Sequence, residues 1–236
     1  MMKGLAVRFL GERNIGRLQF LLKPGLGNTF GGPLNGQEHR RTMFSEIIHC
    51  MPFGAIVETG TFRGSTTAFF GAFELPVYSV EINPRHAAFA ALRLFWQRHR
   101  IHLFQGDSPS FLKSLAADRR FPKTRVFFYL DAHWEEHLPL AEELEIIFSK
   151  WSEAVVMVDD FKVPGSQYAY DDYGPGKVLS LEYLNQLEYL KLIPFFPAVP
   201  ASVETGLKRG SVVLCREASV GDRLRGLESL TPVSDH

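Results

Sequence analysis

The chain has 236 residues, which suits one domain of ordinary to large size, and its hydrophobic fraction of 45% allows a sizeable core. Lys plus Arg and Asp plus Glu both total 26, so no overall positive field is present to hold a nucleic-acid backbone. The two cysteines, Cys50 and Cys215, are too few for a disulfide framework and favour a reduced, cytoplasmic location. These values argue against a nucleic-acid partner and against a disulfide-rich secreted domain.

Residues 1–36 are predicted to form an N-terminal helical or extended segment. Its apolar residues are interrupted by Arg8, Glu12, Arg13 and Arg17, which leaves no apolar core of a signal peptide and no membrane span. A basic amphipathic helix lying on a membrane is one alternative. A packing or dimer-forming helix is the commoner outcome, so we expect no stable membrane association and allow for a homo-oligomer.

From residue 55 onward, apolar runs alternate with stretches of helical spacing. The runs lack polar alternation, which is typical of strands covered on both faces and indicates a parallel sheet with helices on either side. The chain is therefore predicted to be an α/β protein with a doubly wound sheet. The five runs are residues 55–59, 77–82, 101–107, 125–132 and 154–160.

Three helices are predicted between these strands. One covers residues 85–98, a second begins with Ser108 as its cap and Pro109 at its first position, and a third covers 135–150.

The pattern changes after residue 160. A loop rich in Gly, Pro, Tyr and Asp is followed by a predicted helix over 177–190. Two further strands, within 191–199 and 210–217, are joined by a polar segment with a glycine, which predicts an antiparallel hairpin that closes the sheet. We expect residues 37–217 to form the main domain and 218–236 a polar, peripheral C-terminal tail.

A carboxylate stands at the end of each of the five strands. In order they are Glu58, Glu81, Asp107, Asp131 and the pair Asp159–Asp160. Ligands of open parallel sheets bind at the carboxyl ends of the strands. This regularity predicts one binding cleft at that edge of the sheet.

The first three strand ends suit an adenosine. Gly60 and Gly64, in the stretch ETGTFRGSTT, allow a tight turn and a close approach of the backbone to a ligand. Glu81 can accept both hydroxyl hydrogens of a ribose, and Asp107 can accept from an exocyclic amine. ETGTFRG does not match GxGxxG, and no P-loop lysine follows it. The turn therefore has no motif that predicts pyrophosphate binding.

This ordered set of motifs resembles the class I S-adenosylmethionine-dependent methyltransferases, over roughly residues 37–217. GTFRGSTT, LDAHW and VVMVDDF are similar in particular to the metal-dependent macrocin O-methyltransferase (TylF-like) and cephalosporin-hydroxylase-like group. The resemblance implies a Rossmann-like sheet of seven strands, mostly parallel with an antiparallel strand in the C-terminal hairpin, and a methyltransferase of class EC 2.1.1. The cofactor-binding residues it implies are Glu58, Gly60, Thr61, Phe62, Arg63, Gly64, Ser65, Glu81, Asp107, Ser108 and Asp131.

Two of these residues have specific expected roles. By resemblance, Glu58 meets the amino group of the cofactor. Arg63 can reach the cofactor carboxylate, although a local salt bridge is the commoner role for such an arginine.

The last two parallel strand ends suit a metal ion. Asp131, Asp159 and Asp160 come from neighbouring strands and repel one another unless a cation lies between them. Their hard oxygen ligands favour Mg²⁺, with Mn²⁺ or Ca²⁺ as alternatives. Zinc is disfavoured, because neither cysteine lies near these residues. By resemblance, the ion binds the acceptor hydroxyl. The alternative is that Asp159 or Asp160 caps the following loop.

His133 is the predicted catalytic partner of Asp131, because it can accept the proton of the acceptor hydroxyl; the alternative is a solvated histidine. Trp134 can line an acceptor pocket or join the core, and His137 can share a helical face with His133. Residues 168–176 have the length and glycine content of a lid, or form a disordered connection.

Gln37, Arg40 and Arg41 precede the first strand. They could reach the mouth of the cleft, but a solvated helix face is the expectation.

The function expected from this sequence is S-adenosylmethionine- and Mg²⁺-dependent O-methylation of a small hydroxylated molecule, such as a sugar or natural product. A nucleotide- or NAD-binding oxidoreductase on a similar sheet is disfavoured by the missing GxGxxG. A non-catalytic protein that keeps the fold is a third alternative.

Overall fold

The computed structural model describes residues 2–133 and 138–233, with side chains from residue 11 onward. Eight strands form a single sheet in the order β3-β2-β1-β4-β5-β7-β6-β8. The strands are β1 (Ala55–Thr59), β2 (Val77–Glu81), β3 (Ile101–Gln105), β4 (Val126–Leu130), β5 (Val155–Asp159), β6 (Ile193–Pro197), β7 (Ser211–Cys215) and β8 (Leu230–Pro232).

The helices cover both faces of this sheet. They are α1 (Met2–Leu22), α2 (Glu38–Cys50), α3 (Ser65–Phe70), α4 (Pro84–Arg93), α5 (Ser108–Ala117), α6 (Leu140–Lys150), α7 (Leu181–Leu184) and α8 (Ala218–Arg225). Short 3₁₀ turns cover Pro24–Asn28, Pro33–Gly36, Phe95–Gln97 and Asn185–Leu190. None of the described helices combines the length and apolar character needed to cross a membrane.

The parallel part of the sheet is confirmed. β1 pairs in parallel with β2 and β4, and β3 and β5 extend this arrangement outward. Every residue of β1, β4 and β5 is buried, as expected for strands with helices on both faces. The carboxyl ends of β1 to β5 therefore meet at one edge of the sheet.

The predicted C-terminal hairpin is also confirmed, since β7 pairs antiparallel with both β5 and β6. The expected count of seven strands was wrong by one. β8 pairs with β6 and comes from the segment that was expected to be a peripheral tail. Residues 218–225 of the same segment form α8, which buries Val220 and Leu224.

The core has two layers, and β4 shows why. Phe127 and Tyr129 point to the face covered by α2 and α3, where Phe44 and Phe70 pack with ring centroids 4.6 Å apart. The residue between them, Phe128, points to the opposite face, which α5 and α6 cover. There its ring packs against that of Trp151, with centroids 5.2 Å apart. Aromatic packing of this kind adds to the free energy gained from burying apolar surface.

The N-terminal helix α1 packs along α4. The rings of Phe20 and Phe89 lie 5.3 Å apart in an edge-to-face arrangement, and Arg85 forms an ion pair with Glu12 at 2.6 Å. Gly16 lies against the backbone carbonyl of Arg85, where a side chain would not fit. The expectation of a packing helix is thus met within the chain itself.

Several helix boundaries differ from the predicted ones. α4 ends at Arg93, and a 3₁₀ turn replaces its expected last turn. Asp107, rather than Ser108, caps α5, because its side chain accepts from the backbone N–H of Ser110. α6 begins at Leu140 instead of residue 135. The stretch 177–190 holds only the single turn of α7 and a 3₁₀ turn.

Candidate functional site

A cavity of about 530 Å³ lies at the carboxyl edge of the sheet, a size typical of small-molecule sites. Residues at or just after the ends of all of the first five strands line it. Its floor and walls include Gly60, Thr61, Phe62, Ser65, Glu81, Asp107, Ser108, Asp131, His133 and Asp160. The N-terminal segment adds Gly27, Thr29, Phe30, Gly32 and Asn35 as a roof over one side.

The turn after β1 brings the backbone to the cavity. Gly60 has a φ of 92°, and a side chain there would overlap with the backbone carbonyl of Asp131. Phe62 also has a positive φ, of 49°, which costs a non-glycine residue about 1–2 kcal/mol. Its backbone N–H donates to Glu81 at 2.6 Å, a charge-assisted contact that helps to hold the turn.

Glu81 is fixed by backbone amides at the end of β2. Its two oxygens accept from the N–H groups of Phe62 at 2.6 Å and Asn83 at 2.8 Å. Burial raises the pKa of Glu81, and these N–H donors oppose that rise. The carboxylate lines the cavity, and each of its oxygens has a second lone pair with which to accept from a ligand hydroxyl.

Asp107 and Ser108 form the next part of the wall, at the end of β3. Asp107 accepts from the backbone N–H of Ser110 at 2.9 Å, which fixes its carboxylate at the start of α5. The structure therefore brings Asp107 and Ser108 to the cavity as predicted, with the helix cap as an additional role for Asp107.

Three of the predicted cofactor-binding residues, Glu58, Arg63 and Gly64, lie behind this wall instead of lining the cavity. Glu58 is buried and accepts from the hydroxyls of Thr67 and Ser79; burial raises its pKa to about 7, and these hydroxyls oppose the rise. Gly64 is the N-cap residue just before α3, with a φ of 74°, and a side chain there would meet α4.

Instead of the local salt bridge that was the alternative, Arg63 forms hydrogen bonds with neutral groups 34 and 37 residues earlier in the chain. It donates to the carbonyl of Leu26 at 3.1 Å and to the hydroxyl of Thr29 at 2.8 Å, and its guanidinium lies over the ring of Phe62. Arg63 thereby holds the N-terminal roof in place.

At the other end of the cavity, Asp131, His133 and Asp160 come together. One potential ligand atom from each lies within 4.8 Å of the others. The His133 side chain is 1% exposed, and neither of its ring nitrogens has a hydrogen-bond partner among the described residues. Burial lowers the pKa of His133, so the imidazole is neutral and carries a free lone pair.

The two carboxyl groups of this cluster also have shifted pKa values. Burial raises the pKa of Asp131 well above its usual range, and the charges of Asp159, Asp160 and Glu58 add to the rise. Burial and the charge of Asp159 raise the pKa of Asp160 to about 7. A cation between the carboxylates would oppose both shifts.

The expectation that Asp159 is a metal ligand is not met by its contacts. Its oxygens pair with the guanidinium of Arg40 and accept from the hydroxyl of Tyr129 and from Asn35 Nδ2 at 3.0 Å. Asp159 is 1% exposed. A buried carboxylate needs such partners, and these occupy the lone pairs that a metal would use.

Arg40 was expected on a solvated helix face, which is wrong. It is 1% exposed on α2 and also donates to the backbone carbonyls of Arg209 and Gly210. Gln37 is equally buried and exchanges hydrogen bonds with the backbone of Arg209. Arg41, by contrast, pairs with the exposed Glu38.

Arg209 is a site residue that no motif indicated. Its guanidinium forms ion pairs with Asp160 and Asp171, and it lines the cavity beside the Asp131–His133–Asp160 cluster. It lies in the polar segment between β6 and β7, and the sequence of that segment does not distinguish Arg209 from a surface arginine.

The loop 168–176 packs against this end of the site. Tyr168 is buried and donates to the carbonyl of Val199 at 3.1 Å. The hydroxyl of Tyr173 donates to Asp171, and its oxygen lies 3.3 Å from the carbonyl oxygen of His133. Movement of this loop as a lid stays a prediction. Trp134 and His137 lie outside the described residues.

Neither a protein-family model nor a curated protein matches the sequence. Solved structures do match the fold. The O-methyltransferase from Bacillus cereus, in complex with SAH, has a TM-score of 0.57 at 12% identity over 92% of this chain and 97% of its own. A putative O-methyltransferase from Klebsiella pneumoniae has a TM-score of 0.56 at 14% identity, over 91% and 95% of the two chains.

A third structure is TomG, an O-methyltransferase from Streptomyces achromogenes involved in tomaymycin synthesis, in complex with SAM. It has a TM-score of 0.52 at 17% identity over 88% of each chain. At these identities the similarity concerns architecture. It shows that this chain has the α/β fold of the Rossmann-like methyltransferases, with one strand more than the seven expected.

Proposed function

We propose that the protein is an S-adenosylmethionine-dependent O-methyltransferase that acts on a hydroxyl of a small molecule. The observation that carries this proposal is that one cavity joins two different groups of residues. One of its ends has the residues suited to an adenosine, and its other end holds Asp131, His133 and Asp160. Among the solved structures with a similar fold, the Bacillus cereus O-methyltransferase holds SAH and TomG holds SAM, which supports the choice of cofactor.

The cofactor would lie along the ends of β1 to β3. Glu81 would accept from the ribose hydroxyls, with Asp107 and Ser108 beside the adenine. The turn Gly60–Phe62 would lie against the amino-acid part. Since nothing in this turn presents a P-loop lysine or a GxGxxG fingerprint, the site favours a nucleoside with a sulfonium tail over a dinucleotide.

The acceptor hydroxyl would lie at the Asp131–His133–Asp160 end. Transfer of a methyl group to oxygen forms a C–O bond, breaks the bond from the methyl carbon to sulfur, and releases the hydroxyl proton. When no metal ion is bound to it, the single lone pair of the neutral His133 imidazole can accept that proton. The cavity wall would orient the hydroxyl toward the methyl group.

The donor set also fits a divalent cation. Asp131 and Asp160 offer carboxylate oxygens and His133 a neutral nitrogen, all within 4.8 Å. When bound, such an ion lowers the pKa of an acceptor hydroxyl and fixes its position. Mg²⁺ is the ion predicted from the carboxylates alone. The acceptor class, a sugar or natural-product hydroxyl, stays a proposal that the cavity size supports.

Calorimetric titration with S-adenosylhomocysteine tests the cofactor assignment. We expect a dissociation constant in the micromolar range for the wild-type protein, and roughly tenfold weaker binding for Glu81→Gln, which loses a charge-assisted acceptor. Glu74→Gln, at a side chain that is 90% exposed, is the matched control and should bind like wild type.

Absence of binding at high micromolar cofactor would contradict the proposal, and NADH binding in its place would favour an oxidoreductase. Turnover is then measured as S-adenosylhomocysteine released from S-adenosylmethionine with a panel of sugars and phenols. Binding without release for any acceptor would favour a non-catalytic protein with this fold.

A further inference from the structure

We propose that His133 is a metal ligand together with Asp131 and Asp160, and that this set selects a first-row transition ion such as Mn²⁺ over Mg²⁺. The proposal rests on the proposed function in that it uses the same acceptor end of the cavity. It revises both the ion and the ligands that the sequence alone predicted.

The positions of the three donors are the first argument. Asp131 and His133 follow β4, and Asp160 follows the neighbouring strand β5, so the parallel pairing brings them to one point. Donor atoms that share a cation at about 2.1 Å lie about 3–4 Å apart. In the structure the three potential ligand atoms lie within 4.8 Å of one another, so a small side-chain rotation would bring them to that spacing.

The second argument is the environment of His133. A buried polar group without a hydrogen-bond partner costs about 1–3 kcal/mol. The ring of His133 is 1% exposed, both of its nitrogens lack partners among the described residues, and Nε2 lies 4.0 Å from Asp131 Oδ1. A metal ion at the cluster would satisfy one nitrogen and remove part of that cost.

The third argument is that the oxygens of Asp159 already have hydrogen-bond and ion-pair partners. A set of three carboxylates would form a hard, all-oxygen site of the kind that suits Mg²⁺. Arg40, Tyr129 and Asn35 bind the oxygens of Asp159 and leave it out of the cluster. The imidazole of His133 takes the third position in the donor set, and the ligands become two oxygens and one nitrogen.

Arg209 strengthens the same preference. Its guanidinium binds one oxygen of Asp160, which leaves the other oxygen for an ion and reduces the negative charge of the site. Mg²⁺ binding depends mainly on the charge of oxygen ligands, whereas imidazole nitrogen favours transition ions, in the order Mn²⁺ < Fe²⁺ < Co²⁺ < Ni²⁺. A site with less charge and one nitrogen therefore discriminates against Mg²⁺.

The test uses untagged, EDTA-dialysed full-length protein, because a histidine tag binds the same ions. Calorimetric titration with MnCl₂ and MgCl₂ should give at least about tenfold tighter binding of Mn²⁺ to the wild type. His133→Ala should remove most of that difference by weakening Mn²⁺ binding. His99→Ala, at an exposed histidine far from the cavity lining, is the matched control and should leave both affinities unchanged.

A spectroscopic measurement on the wild type makes the test independent of whether the His133→Ala variant folds. Pulsed electron paramagnetic resonance of the Mn²⁺-loaded protein should show modulation from a directly bound imidazole nitrogen. Equal affinities for Mn²⁺ and Mg²⁺, no detectable metal binding, or no nitrogen modulation would each overturn the proposal. S-adenosylhomocysteine is titrated in parallel: retained binding in any of those cases means that only the metal assignment fails.

Discussion

The two ends of the cavity hold their carboxylates in different ways. At the proposed cofactor end, Glu81 and Asp107 accept from backbone N–H groups within 20 residues of them in sequence. At the proposed acceptor end, Asp160, and the buried Asp159 behind it, are held by the guanidinium groups of Arg209 and Arg40, which lie 49 and 119 residues away. Acids held by nearby backbone are encoded locally, whereas acids held by distant arginines depend on the completed fold.

Gly60→Ala should have the largest effect, because Gly60 joins the two ends. The new side chain would overlap with the carbonyl of Asp131, and the φ of 92° adds strain. We expect a loss of about 5 kcal/mol or more in the free energy of unfolding, measured by urea denaturation. Gly165→Ala is the control, with a φ of 64° and open space around it, and should lose only about 1 kcal/mol. Similar losses for both variants would contradict the close contact.

Arg40→Met tests the arginine-held end. It leaves Asp159 as a buried charge without its main partner, so unfolding should become easier by about 3–5 kcal/mol. The double variant Arg40→Met/Asp159→Asn removes that charge and should recover part of the loss.

Arg120→Met is the control, since this arginine is 92% exposed and its one ion pair among the described residues is with Asp118. It should change stability by less than about 1 kcal/mol. A double variant no more stable than Arg40→Met alone would argue against the ion pair as the source of the effect.

Glu143→Gln tests a buried acid below the cofactor end, where it faces the hydroxyls of Ser108 and Thr59. Burial raises the pKa of Glu143 from 4.5 to about 7. The folded state thus favours the protonated form, so the contribution of Glu143 to stability is greatest below pH 4.5 and falls as the pH rises to 7. The glutamine variant does not titrate, and it should gain up to about 3 kcal/mol relative to wild type between pH 5 and pH 8.

Urea denaturation of Glu143→Gln and wild type across that pH range measures the gain. Glu142→Gln, on the exposed side of the same helix, is the control and should differ from wild type by less than about 1 kcal/mol. A constant difference between Glu143→Gln and wild type at all pH values would contradict the raised pKa.

The sheet could be predicted from sequence because its signals are local. Continuous apolar runs identified the five parallel strands, and the acids at their ends identified the edge that carries the cavity. β8 was missed because three residues, two of them exposed, carry no strand pattern. Both Asp107 and Ser108 are good helix caps, so choosing between them needed the backbone geometry.

The partners in the site could not be predicted in the same way. Nothing in the sequence around Arg40 distinguishes a buried guanidinium from a solvated one, and Arg209 lies in a segment without a motif. The pairing of these residues with Asp159 and Asp160 depends on α2 and β7 lying beside β5. That contact exists only in the folded chain, so Asp159 appeared from sequence to be equivalent to Asp160.

The roof of the cavity has a consequence for how such a protein can diversify. Residues 27–35 precede the first strand and are held over the cavity by hydrogen bonds with Arg63, Thr66 and Leu207. None of the acids at the strand ends belongs to that segment. Substitutions in the roof other than at Asn35, which donates to Asp159, can therefore change the shape of the cavity while Asp131, His133 and Asp160 stay in place. Under the proposed function, the choice of acceptor and the reacting groups can then evolve in separate parts of the chain.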